Sequence, residues 1–389
     1  MRISVDAHAL GRHLTGNEVY IRNLLIKFAE MAPEAEFVAY ASTFGSNPHM
    51  RVVPRSVSQV AVSRNPFARL GWQMSRCVAS DRPSLLHVQY TAPLYCPVPI
   101  VVTVHDVSFV DHPEYFTWFR AQQLRLTVRR TVGRAARVIA PSDFSRSSII
   151  ATYGLDPERV VTIPNGVSTS FRSVAKDLAK QRILRRFGLR APYVLTVGDL
   201  QPRKNQLGLI KAFEEVLKLE PQLPHHLVLA GQDTWFADKI RAAAARSAFA
   251  DRIHLLGWVG DEELLHLYNA CDVFAFPSFY EGFGLPVLEA MACGTPVACS
   301  NQTATYEVAD SCALTFDPSS TVEMMHCIRD LLINPDLRAR MSRLGQQRAA
   351  RFTWDSAARR TLAVYCEVAG QAQPQPQPHK TRSQPLIVR

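Results

Sequence analysis

Two rhythms of apolar and polar positions alternate along this chain. Short, nearly continuous apolar runs occupy 3–6, 36–40, 85–89, 100–105, 137–141 and 160–164, and again 193–198, 226–230, 252–256, 273–277, 295–300 and 312–316. Between them, apolar residues recur at three- and four-residue intervals over 18–31, 206–219, 261–271, 286–293 and 322–333. Continuous apolar runs are what strands buried on both faces look like, and the longer spacing is that of helices with one buried stripe. Strands alternating with helices predict parallel sheets built from βαβ units. Each half of the chain carries enough strands for one doubly wound, Rossmann-like α/β domain.

A charged segment over 168–191 separates the two strand-rich blocks, and 389 residues exceed what one core usually serves. The expected organisation is a first domain over 1–185 and a second over 186–351. Two further helices follow Pro335, and the last, about 352–369, packs back on the first domain. The stretch 370–389, with its QPQPQP run, has nothing to bury and reads as a disordered tail. Two such domains place ligands in the cleft at the carboxyl ends of their strands.

Composition narrows the function. With 47% hydrophobic and 20% charged residues the chain is of globular type. No apolar run approaches the ~20 residues that span a bilayer. The start MRISVDAHAL lacks the basic and apolar regions of a signal peptide and reads as a first strand, so a cytoplasmic location is expected. Eight scattered cysteines show no Cys-x-x-Cys pair and are assigned no metal or disulfide chemistry. The net charge of +10 is unevenly spread. Arg120, Arg125, Arg129, Arg130, Arg134 and Arg137 follow Phe116, Trp118 and Phe119 on an expected helix, and 176–190 forms a second basic stretch. Solvated helix faces account for such charge, and so does an anionic membrane surface touched peripherally. No nucleic-acid module accompanies it, so nucleic acid is not an expected partner. Neither G-x-G-x-x-G nor a P-loop is present, which argues against dinucleotide-dependent redox and ATP-driven chemistry.

Four segments carry candidate chemistry. In PSFYEGFGLPVLEAMACGTP, residues 277–296, a strand ends, a glycine-containing loop follows, and Pro286 suits a first helical position. Such a loop presents backbone N–H groups and a helix N-terminus to anions and hydroxyls. Glu281 before the helix and Glu289 within it can grip two parts of one elongated, hydroxyl-rich ligand. In GDLQPRKN, residues 198–205, Arg203 and Lys204 are adjacent cations suited to a diphosphate. In LTGN, residues 14–17, Gly16 lets backbone approach a phosphate and Asn17 can cap a helix. His105 and Asp106 end a strand at the cleft.

Residues 277–296 resemble the Glu-x7-Glu motif of retaining family 4 glycosyltransferases, which have the GT-B fold. The likeness runs from the RISVDA start to Phe352–Trp354. It implies that Glu281 holds the donor sugar's hydroxyls, with the amides of Phe283, Gly284 and Leu285 nearby, and that Glu289 holds the ribose. Lys204 matches a family lysine. Asp199 stands where relatives often carry arginine, and Arg203 takes that part in a Pro-Arg-Lys-Asn variant. Gly16 would face the diphosphate, although GNEVY replaces the usual Gly-Ile-Gly-Arg-Tyr. His105 would polarise or position at the donor sugar, with Asp106 fixing its tautomer. Backbone at Gly231 and Val259 would meet the nucleotide, and 164–167 would be a structural turn. The resemblance implies retaining hexosyl transfer from a nucleotide-sugar, GDP-mannose first, to a glycan or lipid-linked acceptor; with no Asp-x-Asp at a strand end and two cations to do a metal's work, no metal is expected. A sugar-nucleotide epimerase or hydrolase of the same fold is the alternative, as is a binding module without turnover. The paired glutamates and cations count against the last.

Overall fold

The structure, a computed structural model, describes residues 1–12, 15–42, 53–190 and 192–370. Residues 371–389, all of the expected 370–389 tail but Gly370, and Leu14 lie outside the described residues. The first half carries β1 (Arg2–Asp6), β2 (Glu36–Ala41), β3 (Ser58–Ala61), β4 (Leu85–Gln89), β5 (Ile100–Thr103), β6 (Arg137–Ala140) and β7 (Val160–Thr162). The second carries β8 (Tyr193–Val197), β9 (His226–Ala230), β10 (Ile253–Gly257), β11 (Val273–Phe276), β12 (Val297–Ser300) and β13 (Leu314–Phe316).

Among the described residues these strands form two sheets, ordered β3-β2-β1-β4-β5-β6-β7 and β10-β9-β8-β11-β12-β13, with parallel pairing. All twelve expected strand segments are strands. The edge strand β3 was not expected, because its residues are mostly exposed and give no apolar run. Each sheet is covered on both faces by apolar clusters, the reason its strands read as continuous hydrophobic runs.

Strand order reverses between β1 and β4 in one sheet and between β8 and β11 in the other. Those switch points open crevices outside the carboxyl ends of the strands. Segment 198–205 follows β8 and segment 277–284 follows β11, and these two strands pair through Val273↔Val194 and Phe274↔Leu195. Two motifs far apart in sequence thus emerge side by side.

The chain crosses between domains twice. Helix Lys176–Phe187, which contains the expected 185/186 division, buries Ala179 and Ile183 in the second-domain core. Helix Trp354–Val368 returns to the first, burying Trp354, Ala357, Ala358, Val364 and Tyr365 there. At this return Val167 pairs with Thr353, and a Cβ on Gly166 would lie 2.1 Å from Trp354 N, so only glycine fits. Basic helix Trp118–Arg134 forms, but Arg137 begins β6 and pairs with Glu367 instead of extending it.

Candidate active site

The crevice of the second domain holds a compact charge cluster. Arg203 and Lys204 lie on a short turn, Pro202–Lys204, that ends at Asn205 in the left-handed region (φ 53°), which asparagine tolerates. Asn205 then caps helix Gln206–Leu219 by accepting from Gly208 N at 3.3 Å. Lys204 Nζ donates to Glu281 Oε1 at 2.6 Å, and Arg203 Nη1 donates to Glu281 Oε2 at 3.0 Å and to the Tyr280 carbonyl at 2.9 Å. The lysine stem lies over Gly198, and its ammonium sits 5.0 Å from the Phe276 ring centroid. Glu281 is only 7% exposed. Burial opposes its ionisation, but Arg203 and Lys204 outweigh that and hold its carboxyl at about 2. Asp106 also lies within electrostatic reach of Arg203, and Asp199 of Lys204, in a sheltered place where Coulomb interactions are strong.

The remaining second-domain candidates surround this cluster. Helix Leu285–Ala292 starts at Leu285, with Gly284 (φ 106°) as its N-cap, so Pro286 is its second residue instead of its first. Leu285, whose N–H belongs to the first helical turn, packs against the cores of both domains. Phe283 is buried, edge-on to Phe352 at 5.9 Å. Glu289 is buried and accepts from Tyr268 Oη at 2.9 Å. Its burial pushes the carboxyl up to about 7. Gly231 donates to Gly257 O at 2.8 Å, and a Cβ there would lie 2.0 Å from Gly198 O, so the two loops touch through bare backbone. Val259 is buried within the second-domain core. Burial raises the carboxyl of Asp199 against the opposing pull of Lys204.

On the first-domain side His105 follows β5 and donates from Nε2 to Gln89 Oε1 at 2.8 Å. Tyr20 meets its ring edge-on at 4.9 Å, and burial lowers its pKa to about 4, so the imidazole is neutral near pH 7. Asp106 does not orient it. Its Oδ1 instead accepts from Ser108 N at 3.0 Å and Ser108 Oγ at 2.6 Å, closing its own turn, and Gln89 sets the histidine's tautomer. Helix Thr15–Met31 begins two residues before Asn17, which therefore lies in the first turn and is not the cap. Gly16 there is exposed, with nothing within 4 Å of a built Cβ, so internal packing does not require a glycine.

The two crevices are clasped together around the Glu281 loop. The Gly282 carbonyl accepts from Ser142 Oγ at 2.8 Å and Ser145 Oγ at 3.0 Å, and the Ser145 hydroxyl lies equally close to His105 O. Tyr280 Oη donates to Asp111 Oδ2 at 2.9 Å. Glu307 takes Asp143 N and Phe144 N, both at 3.0 Å, completing the end of helix Asp143–Tyr153 with a carboxylate from the other domain. Arg22 pairs with Asp261 at 2.9 Å. A Cβ on Gly282 would fall 1.9 Å from His105 O, so glycine alone permits this approach. Sequence reasoning missed Ser142, Ser145, Glu307 and Tyr280. A Ser before Asp at a helix start announces a cap, but nothing local says that the cap also bonds across a cleft.

Comparison with known proteins places this geometry. The profile described as Glycosyl transferases group 1 matches residues 180–348, and that of Glycosyltransferase Family 4 matches residues 14–171. The O-antigen chain mannosyltransferase B of Escherichia coli is 35% identical over 268 residues, 68% of this chain and 69% of that one. The chain is a family 4, group 1 glycosyltransferase. Its fold matches the sucrose-phosphate synthase of Thermosynechococcus elongatus at a TM-score of 0.78 and 19% identity, covering 95% of this chain and 99% of that one. An Anabaena protein solved with UDP-glucose matches at a TM-score of 0.74 and 19% identity, covering 93% and 99%. The two parallel-sheet domains are those of the GT-B fold.

In this glycosyltransferase Glu281, Arg203 and Lys204 form one cluster, with the His105 carbonyl against the next residue along from Glu281. Glu289, Gly231 and Val259 line the same domain without joining the cluster. Gly282→Ala should keep each domain folded but hold the cleft ajar. Activity should fall on the order of 100-fold, as small misplacements of reacting groups do. Small-angle scattering should show a larger radius of gyration, and an unchanged radius with wild-type turnover would remove the clasp.

Proposed function

We propose that the protein is a retaining hexosyltransferase that moves mannose from GDP-mannose to a hydroxyl of a glycan or lipid-linked acceptor in polysaccharide assembly. The observation that carries this reading is the buried Glu281 carboxylate held by Arg203 and Lys204 at the β8/β11 switch point. The likeness to an O-antigen chain mannosyltransferase supports the choice of sugar and pathway.

In this reading the donor's diphosphate lies against Arg203 and Lys204, whose charge stabilises it as it leaves. The bond from the anomeric carbon to the phosphate oxygen breaks through an oxocarbenium-like state. The acceptor oxygen bonds to that carbon from the same face, and its proton passes to the departing phosphate. Glu281, ionised throughout the working pH range, accepts from the sugar's hydroxyls, and neutral His105 positions the sugar. The two cations supply what a metal would, so transfer is metal-free. Glu281→Ala and Lys204→Ala should each lower transfer from GDP-mannose by roughly 100- to 1,000-fold in folded protein. Near-normal turnover in either folded variant sinks the site.

Glu289 is assigned to the ribose. With its carboxyl near 7 it is protonated below that pH and cannot accept from both ribose hydroxyls. GDP affinity should therefore strengthen as pH rises from 6 to 8, by up to about tenfold per unit below the pKa, then level off. Calorimetry at three pH values checks this. In Glu289→Gln the profile should be flat, and a wild-type profile there would assign the titration elsewhere.

The basic helix supports a peripheral membrane contact. Trp118, Phe119 and Leu126 are exposed on it, and Leu94, Tyr95 and Trp72 are exposed nearby. Arg130 and Arg134 donate to the Leu94 carbonyl, tying the last turns of this helix to the loop, so that exposed apolar and cationic side chains occur on both. No described helix is long and apolar enough to cross a membrane. The double variant Trp118→Ser/Phe119→Ser should bind phosphatidylglycerol vesicles more weakly than wild type in a sedimentation assay. Equal binding removes the contact.

A further inference from the structure

The first-domain crevice contains buried polar groups that the reaction above does not use. Arg69, on the short helical turn Arg69–Gln73, is 5% exposed, yet its Nε and Nη1 have no hydrogen-bond acceptor among the described residues. It lies within electrostatic reach of Asp6, Arg12 and Arg120. Asp6 ends β1 and is 1% exposed. Its Oδ1 accepts from His8 N at 3.2 Å and is bonded to His8 Nδ1 at 2.9 Å, while Oδ2 has no donor among the described residues. Gln89 ends β4, and its Nε2 lacks an acceptor while Oε1 is taken by His105. Buried polar groups without partners are uncommon in folded proteins, and a guanidinium is among the costliest. Asp6 and Gln89 end adjacent strands, and Arg69 stands within electrostatic reach of Asp6.

Their chemistry is specific. A carboxylate oxygen without a donor calls for a hydroxyl, and guanidinium N–H groups without an acceptor call for an anion. Three arginines against Asp6 leave an excess of positive charge, with Arg120 exposed at the rim, where it donates to Gln123 Oε1 at 3.0 Å. Planar guanidinium groups match phosphate oxygens in pairs. We propose that Arg69, with Arg12 and Arg120, forms a phosphate subsite on the acceptor side of the cleft, and that the acceptor is a phosphorylated sugar with a hydroxyl donating to Asp6 Oδ2. This rests on the glycosyl-transfer reading given above. β1 neighbours β4 and β4 neighbours β5, so Asp6 stands about 10 Å across the sheet from the strand that leads to His105, room for a sugar between the two. The phosphate belongs to a free sugar phosphate or to a lipid diphosphate carrying the sugar.

The test is calorimetric titration of the full chain saturated with GDP, so that the donor's diphosphate position is filled. The probes are mannose, mannose 6-phosphate and a short-prenyl diphosphate-linked N-acetylglucosamine. At least one phosphorylated probe should bind tenfold or more tightly than mannose, and which one does so identifies the source. Arg69→Gln should reduce that affinity roughly 10- to 100-fold while GDP affinity stays as in wild type. Should Arg69→Gln not fold, Arg120→Gln should reduce the same preference. Equal binding of mannose and both phosphorylated probes overturns the proposal. So does an Arg69→Gln loss that falls equally on GDP, which would give the guanidinium to the donor. Repeating the titrations without nucleotide keeps the two readings apart: failure of GDP to bind counts against the donor assignment alone, and the phosphate preference is still decided.

Discussion

The structure turns on a buried carboxylate held between two cations. Glu281, Arg203 and Lys204 come from loops separated by more than seventy residues, and only the pairing of β8 with β11 brings them together. Removing Glu281 would leave two adjacent buried cations without their shared counter-charge, which is strongly unfavourable. The cluster therefore fixes the shape of both loops before any ligand arrives. In the proposed function the two cations, already held in place, are what an incoming diphosphate would meet.

The same loop is held from the other side. Residues on either side of Glu281 bond to the first domain, through Tyr280 to Asp111 and through Gly282 to Ser142 and Ser145. Domain closure and the geometry of Glu281 are consequently one variable. Glu307 adds a carboxylate to a helix N-terminus across the cleft, a contact that forms only when the domains meet. With Leu285 packed on both cores, the cleft floor is partly a shared hydrophobic contact.

Much of this was legible in the sequence, for physical reasons. Parallel strands buried on both faces leave continuous apolar runs, so twelve strands could be read, while exposed β3 could not. Glu281 and Glu289 stood out through the likeness of the whole 277–296 segment to the Glu-x7-Glu motif, and Arg203 and Lys204 because they follow a strand at a glycine and match the family's basic positions. Contacts set by tertiary approach were invisible. Gln89 inside a strand gave no sign that it, and not Asp106, would orient His105, and Arg69 looked like any surface arginine. The 185/186 division failed to show that the helix across it packs on the second domain, because a charged, half-exposed helix carries little periodic signal.

The central claim is that Arg203 and Lys204 form a diphosphate site, and comparing GDP with GMP, and UDP with UDP's monophosphate, on the unmodified protein tests it most directly. One base should be preferred, and its diphosphate should bind at least tenfold more tightly than its monophosphate, a preference that weakens as salt is raised. Equal affinity for monophosphate and diphosphate would mean that the two cations serve only to hold Glu281 and form no diphosphate site.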